Sequence, residues 1–201
     1  MLTAMTSLDM ICGVDEAGRG PWAGPVCAGA VILGTRPAIE GLADSKTLSP
    51  SRRAALAGEI RREAVAFAIG WASPEEIDRL NIRRATHLAM IRAVTALQCV
   101  PEHIQVDGND CPDGLPCPAE AIIGGDATHP AISAASILAK TARDGFMVSA
   151  CEAHPGYGFS AHKGYGTRAH AEALSRLGPA PIHRRSFAPV AKVLQRRAGG
   201  A

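Results

Sequence analysis

Three short apolar runs that each lead into an aspartate constrain this chain more than any other feature. Met10-Ile11-Cys12-Gly13-Val14 precedes Asp15, Ile104-Gln105-Val106 precedes Asp107, and Ala121-Ile122-Ile123-Gly124-Gly125 precedes Asp126. Runs of this length and composition read as buried strands, so each is expected to deliver a carboxylate at its carboxyl end. In open α/β sheets ligands gather outside the carboxyl ends of parallel strands, and three acids arriving there predict one shared site. Residues 25–33 and 64–71 read as further strands, the first of them joined to the Asp15 run by a Gly/Pro-rich turn. Helices are expected over about 52–63 behind a Ser49 or Ser51 cap, from Pro74, and from an Asn81 cap to just before Pro101. Others are expected over about 131–153, with Ala134, Ile137, Leu138, Thr141 and Met147 inward, and over about 167–176 and 187–197. The pattern predicts an α/β fold, a mixed central β-sheet flanked by helices with a helical C-terminal extension, in a single domain over 1–201. Residues 1–8 and 198–201 are expected to be flexible tails.

Composition narrows the setting. The opening residues lack a basic stretch followed by a long apolar one, so neither a signal peptide nor a membrane span is expected, and the expected location is cytoplasmic. Six cysteines include no C-x-x-C pair, which favours reduced thiols over a disulfide framework or a zinc clip. A net charge of +2 neither requires nor opposes nucleic-acid binding. Arginine outnumbers lysine 17 to 4, yet three of the four lysines, Lys46, Lys140 and Lys163, stand in motif-like segments where a compact ammonium has a use.

Asp15, Glu16, Asp107 and Asp126 supply hard oxygen ligands of the kind Mg²⁺ or Mn²⁺ takes, with positions left for a phosphate. Neighbouring side chains on a strand point to opposite faces, so Glu16 can join Asp15 only if the chain bends at Ala17-Gly18. Taken singly, Asp-Gly is an ordinary turn signal. Asp44, Asp110, Asp113 and Asp144 suit turns or surface pairs, and Asp78 suits a helix or its cap. The seven histidines are scattered along the chain, which argues against a histidine-guided, metal-free cleavage and for water activated at a metal centre.

The segments GVDEAGRGP, DSKTLS, IDRLNIRRATHLAM, QVDG, GGDATHPAISAASILAKTARD, YGFSAHKGYGT and HRRSFAPV occur in this order from Gly13 to Val190. Together they resemble the ribonuclease HII family. The resemblance implies a ribonuclease H-like fold, with the strand carrying Asp15 beside the strand carrying Asp107. It implies an endonuclease that hydrolyses the RNA strand of RNA–DNA hybrids and incises 5′ of ribonucleotides embedded in duplex DNA. The implied route is two-metal-ion hydrolysis leaving 3′-hydroxyl and 5′-phosphate ends, with Asp15, Glu16, Asp107 and Asp126 as the catalytic metal ligands. Gly18-Arg19-Gly20 would meet the 2′-hydroxyl, a group that both donates and accepts, and Tyr165 would pack on the junction sugar. Lys46, Lys140, Lys163, Arg184 and Arg185 are candidate phosphate contacts. Trp22 and His129-Pro130 depart from the commonest family pattern, and Pro130 suits the start of the long helix.

Ribonuclease HIII resembles this family in its core but carries an additional N-terminal domain; with only fourteen residues before Asp15, it is the weaker match. The alternative of a different class is a non-catalytic hybrid-binding module on the same fold, which loss of a metal carboxylate would favour. The chain is expected to be a monomer. A replication clamp is a candidate partner, for which Val193-Leu194-Gln195 is too short a hint to assign.

Overall fold

The structure is a computed structural model and describes residues 10–34, 39–43 and 45–199. In chain order the elements are β1 (Ile11–Ala17), β2 (Val26–Ile32), α1 (Pro50–Glu63), β3 (Ala66–Ala72), α2 (Pro74–Leu80), α3 (Ile82–Thr95), β4 (His103–Asp107), β5 (Ala119–Ile122), α4 (Gly125–Thr128), α5 (Pro130–Ala153), α6 (Phe159–His162), α7 (Arg168–Leu177) and α8 (Ala188–Ala198). The strands form a single mixed sheet in the order β3-β2-β1-β4-β5. β1 and β3 each pair antiparallel with β2, whereas β1, β4 and β5 run parallel.

Local chemistry sets the helix starts. The Ser49 hydroxyl accepts from the Arg52 amide beside Pro50, Ser73 and Glu76 form a reciprocal capping box, and the Asn81 side chain accepts from the Arg84 amide. Pro130 occupies the first turn of α5, as its fixed φ suits. Two expectations need correction. β1 does not stop at Val14: it continues through Asp15, Glu16 and Ala17, paired with Gly29, Ala28 and Cys27 of β2. β5 ends at Ile122, so Asp126 sits on α4 rather than at the end of a strand. There Gly124 in the left-handed region, φ 68°, turns the chain before the acid is reached.

The sheet is covered on both faces at very close range. α5 lies on the β1 and β2 face that presents Gly13 and Gly29. A Cβ at Gly13 would stand 2.1 Å from the Ala131 carbonyl carbon, and one at Gly29 2.5 Å from the Ala135 oxygen. α3 covers the other face, packing Ala85, Ala89 and Ala93 on Cys12, Val14, Ala28, Ala30, Ile104 and Val106. Asp15 shares the α5 side with Gly13, because alternate residues of a strand share a face. Ala134, Ile137, Leu138 and Met147 of α5 are buried as expected.

The C-terminal helices fold back onto the loop that follows β1. Trp22 N–H donates to the Gly164 carbonyl, Gly24 N–H to Ile182 and Arg184 N–H to Trp22, each at 2.8 Å. The Trp22 indole occupies the space left by Gly166, where a Cβ would come within 2.1 Å of the ring. The C-terminal tail expected at 198–201 does not begin at 198, since α8 runs to Ala198 and Gly199 caps it, while residues 1–8 and 200–201, like Asp44, lie outside the described residues. No helix among the described residues is long and apolar enough to cross a membrane. The six cysteines are free thiols.

Candidate active site

Parallel pairing of β1 with β4 ends at Val14 opposite Val106, so Asp15 and Asp107 are the next residue on each strand. Asp126 is brought to them from α4. Its own amide, at 3.4 Å, and that of Gly125, at 2.8 Å, donate to Oδ1 of Asp107, while Ser133 of α5 donates to the Asp126 carbonyl at 2.6 Å. Asp15, Asp107 and Asp126 each offer a carboxylate oxygen, and these oxygens all lie within 4.8 Å of one another.

Asp15 is 4% exposed and Asp126 8%. Burial, then the adjacent Glu16 charge, pushes the Asp15 carboxyl well above the usual carboxylate range, against a hydrogen bond from Ser136 that lowers it. Three acids crowded this way repel one another unless a cation is held between them. Their all-oxygen donor set fits Mg²⁺ or Mn²⁺ and offers nothing to a thiol-seeking metal.

Glu16 does not join this triad. It leaves the other face of β1, and its Oε1 meets Arg19 at 3.4 Å. Burial raises its carboxyl too, with the Arg19 charge opposing. It still lines the same cleft of about 210 Å³, together with Asp15, Asp107, Gly18, Arg19, Gly20, Lys46, Lys140 and Tyr165. Lys46 Nζ stands 3.7 Å from Asp126 Oδ2. Lys140 also points at the cleft, but its ammonium donates to Asp144, one turn along α5, at 2.6 Å. Lys163 and Arg185 are not among the residues lining it. The Lys163 ammonium binds the Ser160 carbonyl, and Arg185 lines a separate cleft with Glu75, Asp78 and Arg79.

Arg184, expected as a phosphate contact, is fully buried and serves the backbone instead. Its guanidinium donates to the carbonyls of Gly18 (2.5 Å), Arg19 (2.8 Å), Gly24 (2.9 Å) and Pro25 (3.2 Å). Burial, then the nearby Arg143 charge, pushes Arg184 down to about 9. Arg143, which the sequence did not single out, does similar work from α5, donating to Ala23, Pro25 and Lys163 carbonyls at 3.0–3.1 Å. Gly18 is obligatory between them. Its φ is +99°, and a Cβ would stand 1.9 Å from Arg143 Nε.

Of the seven histidines, three converge beside Tyr165. His183 Nδ1 lies 2.9 Å from the Ala180 amide and 3.3 Å from the Ala180 carbonyl. Because His170 Nδ1 must donate to the Tyr165 carbonyl, a neutral pair has His183 accept from that amide and carry its proton on Nε2. That nitrogen lies 3.1 Å from His170 Nε2, which accepts from it, and His170 Nδ1–H donates to the Tyr165 carbonyl at 2.9 Å. His162 stacks on His170 with centroids 4.4 Å apart. Burial, then the neighbouring histidines, pushes His183 from 6.5 down to about 4, and burial likewise lowers His170.

A depressed folded-state pKa favours the neutral form, so this stabilisation is complete above 6.5 and lost as pH falls through about 4. The raised Asp15 and Glu16 carboxyls act with the opposite sign, equally in both proteins, so as pH falls across that window the metal-free His183→Gln variant is expected to gain melting temperature relative to wild type. Equal slopes for the two proteins would remove His183 from the acid response.

The family model described as ribonuclease HII matches residues 12–190. The ribonuclease HII of Hyphomonas neptunium is 57% identical over 205 residues, covering 95% of this chain and 99% of that protein. Among solved structures, the ribonuclease H2 of Pyrococcus horikoshii OT3 aligns with a TM-score of 0.76 at 27% identity, over 92% of this chain and 97% of that one. A ribonuclease HII from Archaeoglobus fulgidus, solved in complex with PCNA, aligns with a TM-score of 0.68 at 25% identity, over 91% of this chain and 96% of that one. With a family model matched over most of its length and a relative more than half identical across nearly all of both proteins, this chain belongs to the ribonuclease HII family.

Proposed function

We propose that this chain is an endonuclease that hydrolyses the RNA strand of RNA–DNA hybrids and incises 5′ of single ribonucleotides embedded in duplex DNA. The observation that carries this reading is one cleft lined by Asp15, Glu16 and Asp107, with Asp126 against Asp107, and by Gly18, Arg19, Gly20 and Tyr165. Asp15, Asp107 and Asp126 would hold Mg²⁺ or Mn²⁺, with Glu16 completing a second position. Bound there, the cations supply an activated water for attack on phosphorus and charge to stabilise the leaving oxygen. A binding module without catalysis would have no use for buried carboxylates that repel one another.

The chain's own groups supply recognition. A trans peptide points its C=O and N–H in opposite directions. With the Gly18 and Arg19 carbonyls turned inward onto Arg184, the partner amides of Arg19 and Gly20 point away from that buried guanidinium. Two such donors suit a 2′-hydroxyl, which DNA lacks. The half-exposed Tyr165 ring stands beside Gly20, where a Cβ would lie 3.6 Å from ring Cε1, and offers a flat face to the sugar. Lys46 is the cation best placed for phosphate. A replication clamp is a further partner in this reading, supported by the Archaeoglobus fulgidus relative solved with PCNA.

The test is denaturing-gel cleavage of two duplexes, one with a single ribonucleotide and one with a continuous RNA strand. Both are expected to be cut with Mg²⁺ or Mn²⁺, spared with EDTA, and cut again when metal is restored. Activity that persists through chelation would overturn the role given to the acids.

A further inference from the structure

Tyr165 projects from the fold into this cleft with little side-chain packing to hold it. Its ring is 46% exposed, and it stands between Gly164 and Gly166, two residues that place little restriction on the backbone. What fixes it is main-chain hydrogen bonding. Its amide donates to the His162 carbonyl at 2.9 Å, and its carbonyl accepts from Thr167 N–H at 2.8 Å and from His170 Nδ1 at 2.9 Å.

The last of these bonds comes from outside the turn. His170 is fully buried on α7, and its other nitrogen meets His183, 2% exposed, at 3.1 Å. His183 is fixed in turn by the Ala180 amide and by a β-bridge to Ala23. The next residue, Arg184, holds the Gly18 and Arg19 carbonyls. Two consecutive residues thus reach both walls of the recognition cleft, one through His170 to Tyr165 and the other directly to the glycine turn. A buried polar pair costs desolvation that an apolar pair does not, and what it supplies is one defined orientation, because every donor and acceptor must be matched.

We propose that His170 and His183 are positioning residues for ribonucleotide recognition, their hydrogen-bonded pair fixing the Tyr165 backbone and hence the place where its ring meets the sugar. The inference rests on the reading that Tyr165 packs on the ribose. It assigns a role in specificity to a histidine pair whose hydrogen bonds go to each other, Ala180 and Tyr165 rather than to the acids.

The experiment compares the ratio of single-ribonucleotide cleavage to continuous-hybrid cleavage in wild type, Tyr165→Ala, His183→Gln and His183→Asn, with melting temperatures recorded for each. A long hybrid offers other registers, so the ratio reports recognition of the single sugar. Gln places a donor where His183 Nε2 stands, and Asn is too short to do so. Tyr165→Ala and His183→Asn are each expected to lower the ratio about tenfold, part of the ~100-fold that a 1 Å misplacement can cost. His183→Gln is expected to keep it.

A ratio lowered by Tyr165→Ala but kept by His183→Asn would overturn the positioning role and leave the Tyr165 reading standing. A ratio unmoved by Tyr165→Ala would remove that reading and the inference together. Proportionate loss of both activities in His183→Asn and His183→Gln would reduce the pair to scaffolding and also overturn it. Where His183→Asn does not fold, His170→Phe keeps the stack on His162 while removing both hydrogen bonds. It is then expected to lower the ratio, and an unchanged ratio overturns the proposal.

Discussion

Asp107→Asn is expected to reduce cleavage of both substrates by about 10³-fold or more while leaving the protein folded. The expected loss corresponds to about 4 kcal/mol of transition-state stabilisation, in the range of what a bound divalent cation contributes. The shape is preserved for an identifiable reason: an asparagine Oδ1 can still accept the Gly125 and Asp126 amides that Asp107 Oδ1 accepts now. One of three converging charges is gone, however, so the cation is held less tightly. The same reasoning gives a second readout of opposite sign. Without metal, the variant should melt no lower than wild type, because removing one carboxylate relieves repulsion among buried acids. With saturating Mg²⁺, wild type should gain stability and the variant less, since a ligand stabilises only what binds it. Turnover near that of wild type would remove Asp107 from the metal site.

The acids were legible in the sequence because strand-like runs leading into aspartate are a local pattern. What brings them together was not local. The order β3-β2-β1-β4-β5 places β4 beside β1 with about ninety residues between them, and only that neighbour relation makes Asp15 and Asp107 adjacent. Asp126 was read at a strand end because Ile122-Ile123 looks like strand. The left-handed Gly124 instead turns the chain into α4, and the acid arrives by another route at the same place. Glu16 was expected in the cluster on condition of a bend at Ala17-Gly18. β1 instead stays paired through Ala17, so Glu16 leaves the other face of the strand from Asp15 and lines the same cleft without that bend.

Arg184 and the histidines show the limit more sharply. An Arg-Arg pair near the C-terminus reads as solvent-facing, since arginine is rarely buried without partners. The partners here are carbonyls some 160 residues away, which no local pattern signals. His162, His170 and His183 looked scattered because they are spaced along a segment that only tertiary folding winds around Tyr157 and Phe159. Only His162 stands beside Tyr165 in HKGYGT, so no local signal joined the three.

Arg184→Lys carries the second large effect, on stability and specificity together. Lysine keeps the charge but replaces a planar fork of five donors with a single ammonium. It cannot span the carbonyls of Gly18, Arg19, Gly24 and Pro25 that the guanidinium now joins. At least two buried carbonyls would lose their partner, at about 1–3 kcal/mol each, so a destabilisation of about 3 kcal/mol is expected. For a chain of this size that corresponds to a melting temperature lower by roughly 6–12 °C. Below the melting transition the acids remain in place, so cleavage of a continuous hybrid should persist at reduced rate. Cleavage at a single ribonucleotide should fall further, because nothing then holds the Gly18 and Arg19 carbonyls inward and their partner amides outward. If positive charge were all that mattered at this position, Lys would serve as well as Arg, and the variant would match wild type in melting temperature and substrate ratio. If Arg184 instead contacted phosphate, Lys would retain most of that contact, and both substrates would lose affinity alike with a shallower salt dependence. Loss of stability with a selective loss of single-ribonucleotide cleavage is the outcome that only the carbonyl clamp predicts.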